Sequence, residues 1–134
     1  MRIASIIGST ATMLLLSNVP IAKAEFSANW ELQILGVYQS EIWGAGEFLS
    51  GITEFQRNEA GVVEGRYTMN EQGEVVPGSL SQCQSLEPLV MHCIWQDRYG
   101  TGDLELSFSE DFSRFEGYWG DGNTQPEFPW LGSR

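Results

Sequence analysis

One histidine, two cysteines and 18 acidic residues are the side chains able to do chemistry in this 134-residue sequence. His92 stands beside Cys93 in Val90-Met91-His92-Cys93-Ile94-Trp95. A Cys–His nucleophile pair needs a free thiolate, and Cys83 offers Cys93 a disulfide partner instead. Two thiols and a single histidine are an incomplete set for a structural zinc site. No Gly-x-Ser-x-Gly elbow presents a serine nucleophile. Glycoside hydrolysis needs two carboxylates held at a set separation across a cleft, and so many acids single out no pair. Asp121-Gly122-Asn123 lacks the repeated acidic ladder and later bidentate Glu of a hand-type calcium loop; it reads as a tight turn closing a hairpin. The turn residues Asp97-Arg98 and Asp103 read the same way. No Gly-rich phosphate loop lies between a strand and a helix. The sequence therefore predicts no catalytic residue, no metal site and no cofactor.

The aromatic residues offer binding chemistry. Trp43 and Trp130 each sit beside loop-forming Gly or Pro near a strand end. Aromatics at an open barrel mouth or sheet face hold sugar rings and apolar small molecules, so these two are the candidate ligand-binding residues. Trp95, Trp119 and Tyr67 fall on inward faces and are expected to fill a core.

Those side chains must be positioned by strands. Asp103-Leu104-Glu105-Leu106-Ser107-Phe108-Ser109 alternates apolar and polar residues with period two. After Glu110-Asp111-Phe112-Ser113, the segment Arg114–Trp119 places Phe115, Gly117 and Trp119 on one face, completing a hairpin. Val63-Glu64-Gly65-Arg66-Tyr67 repeats the pattern of Phe115-Glu116-Gly117-Tyr118-Trp119, with looser echoes at Gly36-Val37-Tyr38 and Pro77-Gly78-Ser79-Leu80. Glycine recurring inside strands points to sharp curvature, or to a neighbouring aromatic packed over bare backbone. Gly, Asn and Pro turns divide the chain into strands near 34–42, 51–58, 62–70, 74–84, 89–98, 103–109, 114–120 and 128–132. The fold class is all-β: a small antiparallel up-and-down meander closing toward a β-barrel, with a two-sheet β-sandwich as the alternative. Cys83 and Cys93 then lie on adjacent strands across the Glu87-Pro88 turn, placed to pin one hairpin.

Residues 1–24 read as a cleaved signal peptide, leaving a single β domain over 25–134. Met1-Arg2 opens the segment, Ile3–Ile21 carries no charge, and Ala22-Lys23-Ala24 supplies small residues three and one before the cut. Polar residues such as Ser9, Thr12 and Asn18 weaken it as a membrane span. Cleavage removes Arg2 and Lys23, so five arginines face all 18 acids, a formal charge of −13 and no lysine. That balance excludes nucleic acid and anionic membranes as expected partners. Five tryptophans and their aromatic neighbours argue against a disordered chain. Export favours a Cys83–Cys93 disulfide, and the expected location is secreted or periplasmic.

Phe115-Glu116-Gly117-Tyr118-Trp119-Gly120, followed by Trp130-Leu131-Gly132-Ser133-Arg134, resembles the ending of uncharacterised secreted bacterial proteins. These share a Gly/aromatic meander and a terminal Trp-x-Gly-x-Arg. The resemblance spans residues 62–134 and implies no activity. The architecture also looks like small ligand-holding barrels of the avidin and lipocalin kind, and like periplasmic barrel inhibitors of metalloproteases. The leading expectation is an exported non-enzymatic module that binds a small molecule, glycan or protein. A protease inhibitor and a small carboxylate-dependent hydrolase are the alternatives. A tryptic digest without reductant should yield a single peptide, 67–98, that carries both Cys83 and Cys93 at a mass two hydrogens below its reduced form and resists alkylation; free thiols at both positions would sink the disulfide.

Overall fold

A computed structural model describes residues 30–134. The signal-peptide reading, 1–24, lies outside the described residues. A 3-10 turn, Trp30–Ile34, precedes eight strands: β1 (Gly36–Gly44), β2 (Glu47–Arg57), β3 (Val63–Glu71), β4 (Glu74–Glu87), β5 (Val90–Asp97), β6 (Gly100–Phe108), β7 (Arg114–Trp119) and β8 (Phe128–Ser133). Each pairs antiparallel with the next, and β8 pairs back to β1 through Gln39↔Ser133 to Ile42↔Trp130. The meander is a closed barrel and not a two-sheet sandwich. Closure removes the unpaired edges an open sheet would expose.

The eight expected strands are all present, with shifted boundaries: the fourth runs on to Glu87 and the sixth begins at Gly100. Ile34, expected to begin the first strand, belongs to the 3-10 turn. The second strand begins at Glu47, because Ala45 and Gly46 take φ of 54° and 80° and join β1 to β2 in two residues. Both central residues at positive φ match the twist of antiparallel strands. Gln72-Gly73, with φ of 51° and 85°, repeats this turn between β3 and β4. Asp121-Gly122-Asn123 opens a longer connection between β7 and β8 instead of a tight turn. There the Asp121 carboxylate accepts the Asn123 N–H at 2.9 Å.

Strand alternation fills the lumen. Tyr38, Ser40 and Ile42 of β1 point inward, as do Leu49, Thr53 and Phe55 of β2 and Val63, Tyr67 and Met69 of β3. A barrel of eight strands has an interior just wide enough for side chains, and this one carries large rings. Bare backbone makes the room. Tyr67 is the cross-strand partner of Gly78, and Phe115 of Gly132. A Cβ added at either glycine would collide with the ring above it.

The two ends of the barrel differ. At the end where β1 starts and β8 finishes, Trp30 and Ile34 are buried against the core. The Trp30 ring lies 6.0 Å from that of Phe108, and its Nε1 donates to Ser85 Oγ at 3.2 Å. Beneath them Tyr38, Phe55, Phe108 and Phe115 pack edge to face, with centroids 5.1–6.3 Å apart. Arg134 secures this end. Its guanidinium donates to the carbonyls of Leu35, Gln33 and Phe112 at 2.6–2.9 Å and lies 4.5 Å from the Tyr38 ring centroid.

The Cys83–Cys93 disulfide joins β4 to β5. The pairing register shifts between Ser81 and Gln84, and Gln82 in that bulge takes a φ of 51°. The bulge turns Cys83 inward toward Cys93. Closing this short loop contributes about 2–3 kcal/mol on the chain-entropy model.

Gly132→Ala should lower unfolding stability in urea by about 1–3 kcal/mol, the range for overpacking a filled interior. Gln56→Ala, on the outer face of β2, should stay within about 0.5 kcal/mol. Equal stabilities for the two variants would show that ring-over-glycine packing does not limit this lumen.

Candidate functional site

The end opposite Trp30 is open. It is bordered by the Ala45-Gly46, Gln72-Gly73 and Arg98-Tyr99 turns and the 120–127 connection. Inside it lies a cavity of about 310 Å³, at the small end of the range that holds a small-molecule ligand (about 300–1,000 Å³). Trp43, Trp95, Trp119 and Trp130 line it together with Tyr67, and Ile42, Leu49 and Met69 complete its apolar wall.

Strand phase brings these residues together, except Trp43, which follows inward-facing Ile42 near the end of β1. Tyr67 and Met69 continue the inward face of β3. Met91, Cys93 and Trp95 share the inward face of β5, Phe115, Gly117 and Trp119 that of β7, and Trp130 and Gly132 that of β8. The rings hold one another edge to face. Tyr67 meets Trp130 at 4.6 Å and 74°, and Trp95 meets Trp119 at 5.3 Å and 79°. Trp43 rests against Phe48 at 5.1 Å.

Most donors in the wall are already engaged. Trp95 Nε1 donates to Gly120 O at 2.8 Å, Trp119 Nε1 to Trp43 O at 2.9 Å and Trp130 Nε1 to Thr53 Oγ1 at 3.0 Å. Thr53 Oγ1 in turn shares a 2.7 Å hydrogen bond with Ser40 Oγ. The Tyr67 hydroxyl donates to Asp97 Oδ2 at 2.7 Å. The cavity thus presents π-faces, and the polar groups it adds are acceptors apart from the Trp43 indole N–H.

Those acceptors are Asp97 and Glu71, which line the cavity at its rim. Each is the last residue of its strand and keeps the inward phase set by Trp95 and Met69. Asp97 Oδ1 also accepts the Tyr99 N–H at 2.8 Å. Among the described residues, Asp97 takes part in no ion pair. Glu71 accepts the Tyr99 hydroxyl, and Arg98 lies 3.5 Å from its Oε1. Arg98 holds Glu74 with two 3.0 Å hydrogen bonds, tying the β5–β6 turn to the β3–β4 turn across the rim. The hydrogen bonds from Arg98 lower the Glu74 pKa below its ordinary value.

Trp43 is half-buried at the mouth. Trp130 lies in mid-strand, 2% exposed, deep in the cavity. The structure does not separate these two from Trp95 and Trp119: all four tryptophans line one space. Asp97 and Glu71 were missed at the sequence level because they adjoin turn residues. Extending the alternation Met91, Cys93, Trp95 by one step would have found Asp97. His92 lies elsewhere, on the outer wall, where its Nε2 is 2.8 Å from Asp103 Oδ1. Its neighbour Cys93 points inward and is oxidised, so the two do not share a site. Comparison with known protein families, curated proteins and solved structures finds no match to this chain.

Burial, then the hydrogen bond and charge of Asp97, push the Tyr67 hydroxyl far above its ordinary pKa. Burial raises Tyr38 to about 12, opposed by the charge of Arg134. Between pH 10 and 12 the unfolded chain therefore loses protons that the folded chain keeps, and stability must fall as pH rises. Each tyrosine contributes a slope of up to about 1.4 kcal/mol per pH unit. Urea midpoints across this interval should decline less steeply in Tyr67→Phe than in the parent protein. An unchanged slope would contradict the buried Tyr67–Asp97 hydrogen bond.

Proposed function

We propose that the protein is an exported, non-enzymatic binding module that holds a small molecule with an apolar body in the open end of its barrel. The observation that carries this reading is the asymmetry of the lumen. One end is packed with rings and covered by the 3-10 turn, while the other leaves a cavity of about 310 Å³ walled by four tryptophans. Edge-to-face contacts and internal hydrogen bonds hold the tryptophans in place. A preformed wall of this kind binds with little ordering of its own side chains.

The wall favours an apolar ligand over a glycan. Sugar hydroxyls need donors and acceptors around the ring, and the donors of Trp95, Trp119, Trp130 and Tyr67 are engaged within the protein. A carboxylate-dependent hydrolase finds less support, since Asp97 and Glu71 accept hydrogen bonds that anchor the rim. The disulfide and the signal-peptide reading support work in the periplasm or outside the cell.

The neutral dye N-phenyl-1-naphthylamine tests the reading. It should bind the mature protein saturably, quenching tryptophan emission as its own emission rises. Trp43→Ala, which alters the half-buried edge of the cavity, should weaken binding by about tenfold, or roughly 1.4 kcal/mol, with little change in unfolding. Absence of saturable binding, or full affinity in Trp43→Ala, would overturn the proposal.

A further inference from the structure

The proposed cup has a polar end of one sign. Asp97 and Glu71 stand on its lining, and Glu47 and Glu74 flank Glu71 just outside. The arginines are distributed the other way. Arg57, Arg114 and Arg134 lie at the closed end of the barrel, where β2 and β8 finish and β7 begins. Arg66 is on the outer wall, paired with Glu54 at 2.9 Å. Arg98 alone reaches the open rim among the described arginines, and its guanidinium is held by Glu74, Glu71 and the Tyr99 hydroxyl. The mouth therefore combines π-faces with acceptors and net negative charge.

From this arrangement we infer that the ligand is an organic cation: an amine or quaternary ammonium carried on an apolar body. The inference rests on the cup reading and names the chemistry of its ligand. Two physical arguments select the cation. A neutral apolar ligand seated against Asp97 would strip water from a carboxylate without giving it a counter-charge, which is costly. An ammonium head restores that charge, and the negative faces of tryptophan rings attract it further. An anionic ligand meets the opposite conditions: acidic residues at the rim, and the indole donors of Trp95, Trp119 and Trp130 already bonded. The acidic mouth also draws cations from solution, an attraction that salt screens.

Phenyltrimethylammonium and its neutral isostere tert-butylbenzene separate charge from shape. Each is titrated into the mature protein and read by tryptophan quenching and by displacement of N-phenyl-1-naphthylamine. The cation should bind at least tenfold more tightly than the isostere at low salt, and the gap should narrow at high salt. Asp97→Asn keeps an acceptor for the Tyr67 hydroxyl, so the fold is retained. This variant should lose most of the cation's advantage over tert-butylbenzene. Equal affinity for the two probes would overturn the cation inference and leave the cup standing. So would binding of the dye with neither probe able to displace it, or an undiminished preference in Asp97→Asn. Failure of all three compounds to bind would overturn the cup reading as well.

Discussion

Space inside an eight-stranded barrel is the constraint on which the rest of this structure depends. The lumen of such a barrel admits side chains and little else, yet this one encloses a set of aromatic rings. The conflict is resolved by pairing rings with glycine across strands: Tyr67 over Gly78 and Phe115 over Gly132. The choice of which strand supplies the ring sets where the lumen is full and where it is open. Phe115 fills the closed half with Tyr38, Phe55 and Phe108. Tyr67 packs against Trp130 at the bottom of the open half. The cavity is what remains when the rings have been placed.

The same packing distributes polarity. A buried indole must find an acceptor, and the indoles of Trp95, Trp119 and Trp130 find theirs within the protein. That satisfies the core and leaves the cavity wall short of donors. Closing the other end uses the cationic side chain of Arg134 on the carbonyls of Gln33, in the 3-10 turn, and Leu35, just after it. One end thus gathers most of the arginines, and the other sets Glu47, Glu71, Glu74 and Asp97 beside a single arginine, Arg98. The electrostatic asymmetry of the molecule follows from how its two ends are closed and left open.

Much of this was legible from the chain. Alternation in Asp103–Ser109 and Arg114–Trp119 located two strands and their faces, because period two is a local property of an extended backbone. The Gly-x-aromatic repeats indicated rings over bare backbone, and Tyr67 with Gly78 shows that arrangement. The resemblance carried by the ending Trp130-Leu131-Gly132-Ser133-Arg134 implied no activity. In the fold, the ending's three alternate residues line the cavity, make room for Phe115 and fasten the 3-10 turn. Other features escaped notice. The 3-10 turn is one short segment without a repeating period. The Ala45-Gly46 hairpin was hidden because Ala rarely marks positive φ.

What the sequence determined by itself was an all-β chain of eight antiparallel strands, with Cys83 and Cys93 brought together on neighbours. These properties depend on local alternation and on turns between adjacent segments. Only the tertiary structure decided that β8 returns to β1, that Trp43, Trp95, Trp119 and Trp130 border one cavity, and that Asp97 and Glu71 stand at its rim. The reason is geometric. Residues from different strands become neighbours only when the barrel's closure sets their height along a common axis, and closure is a property of all eight strands at once.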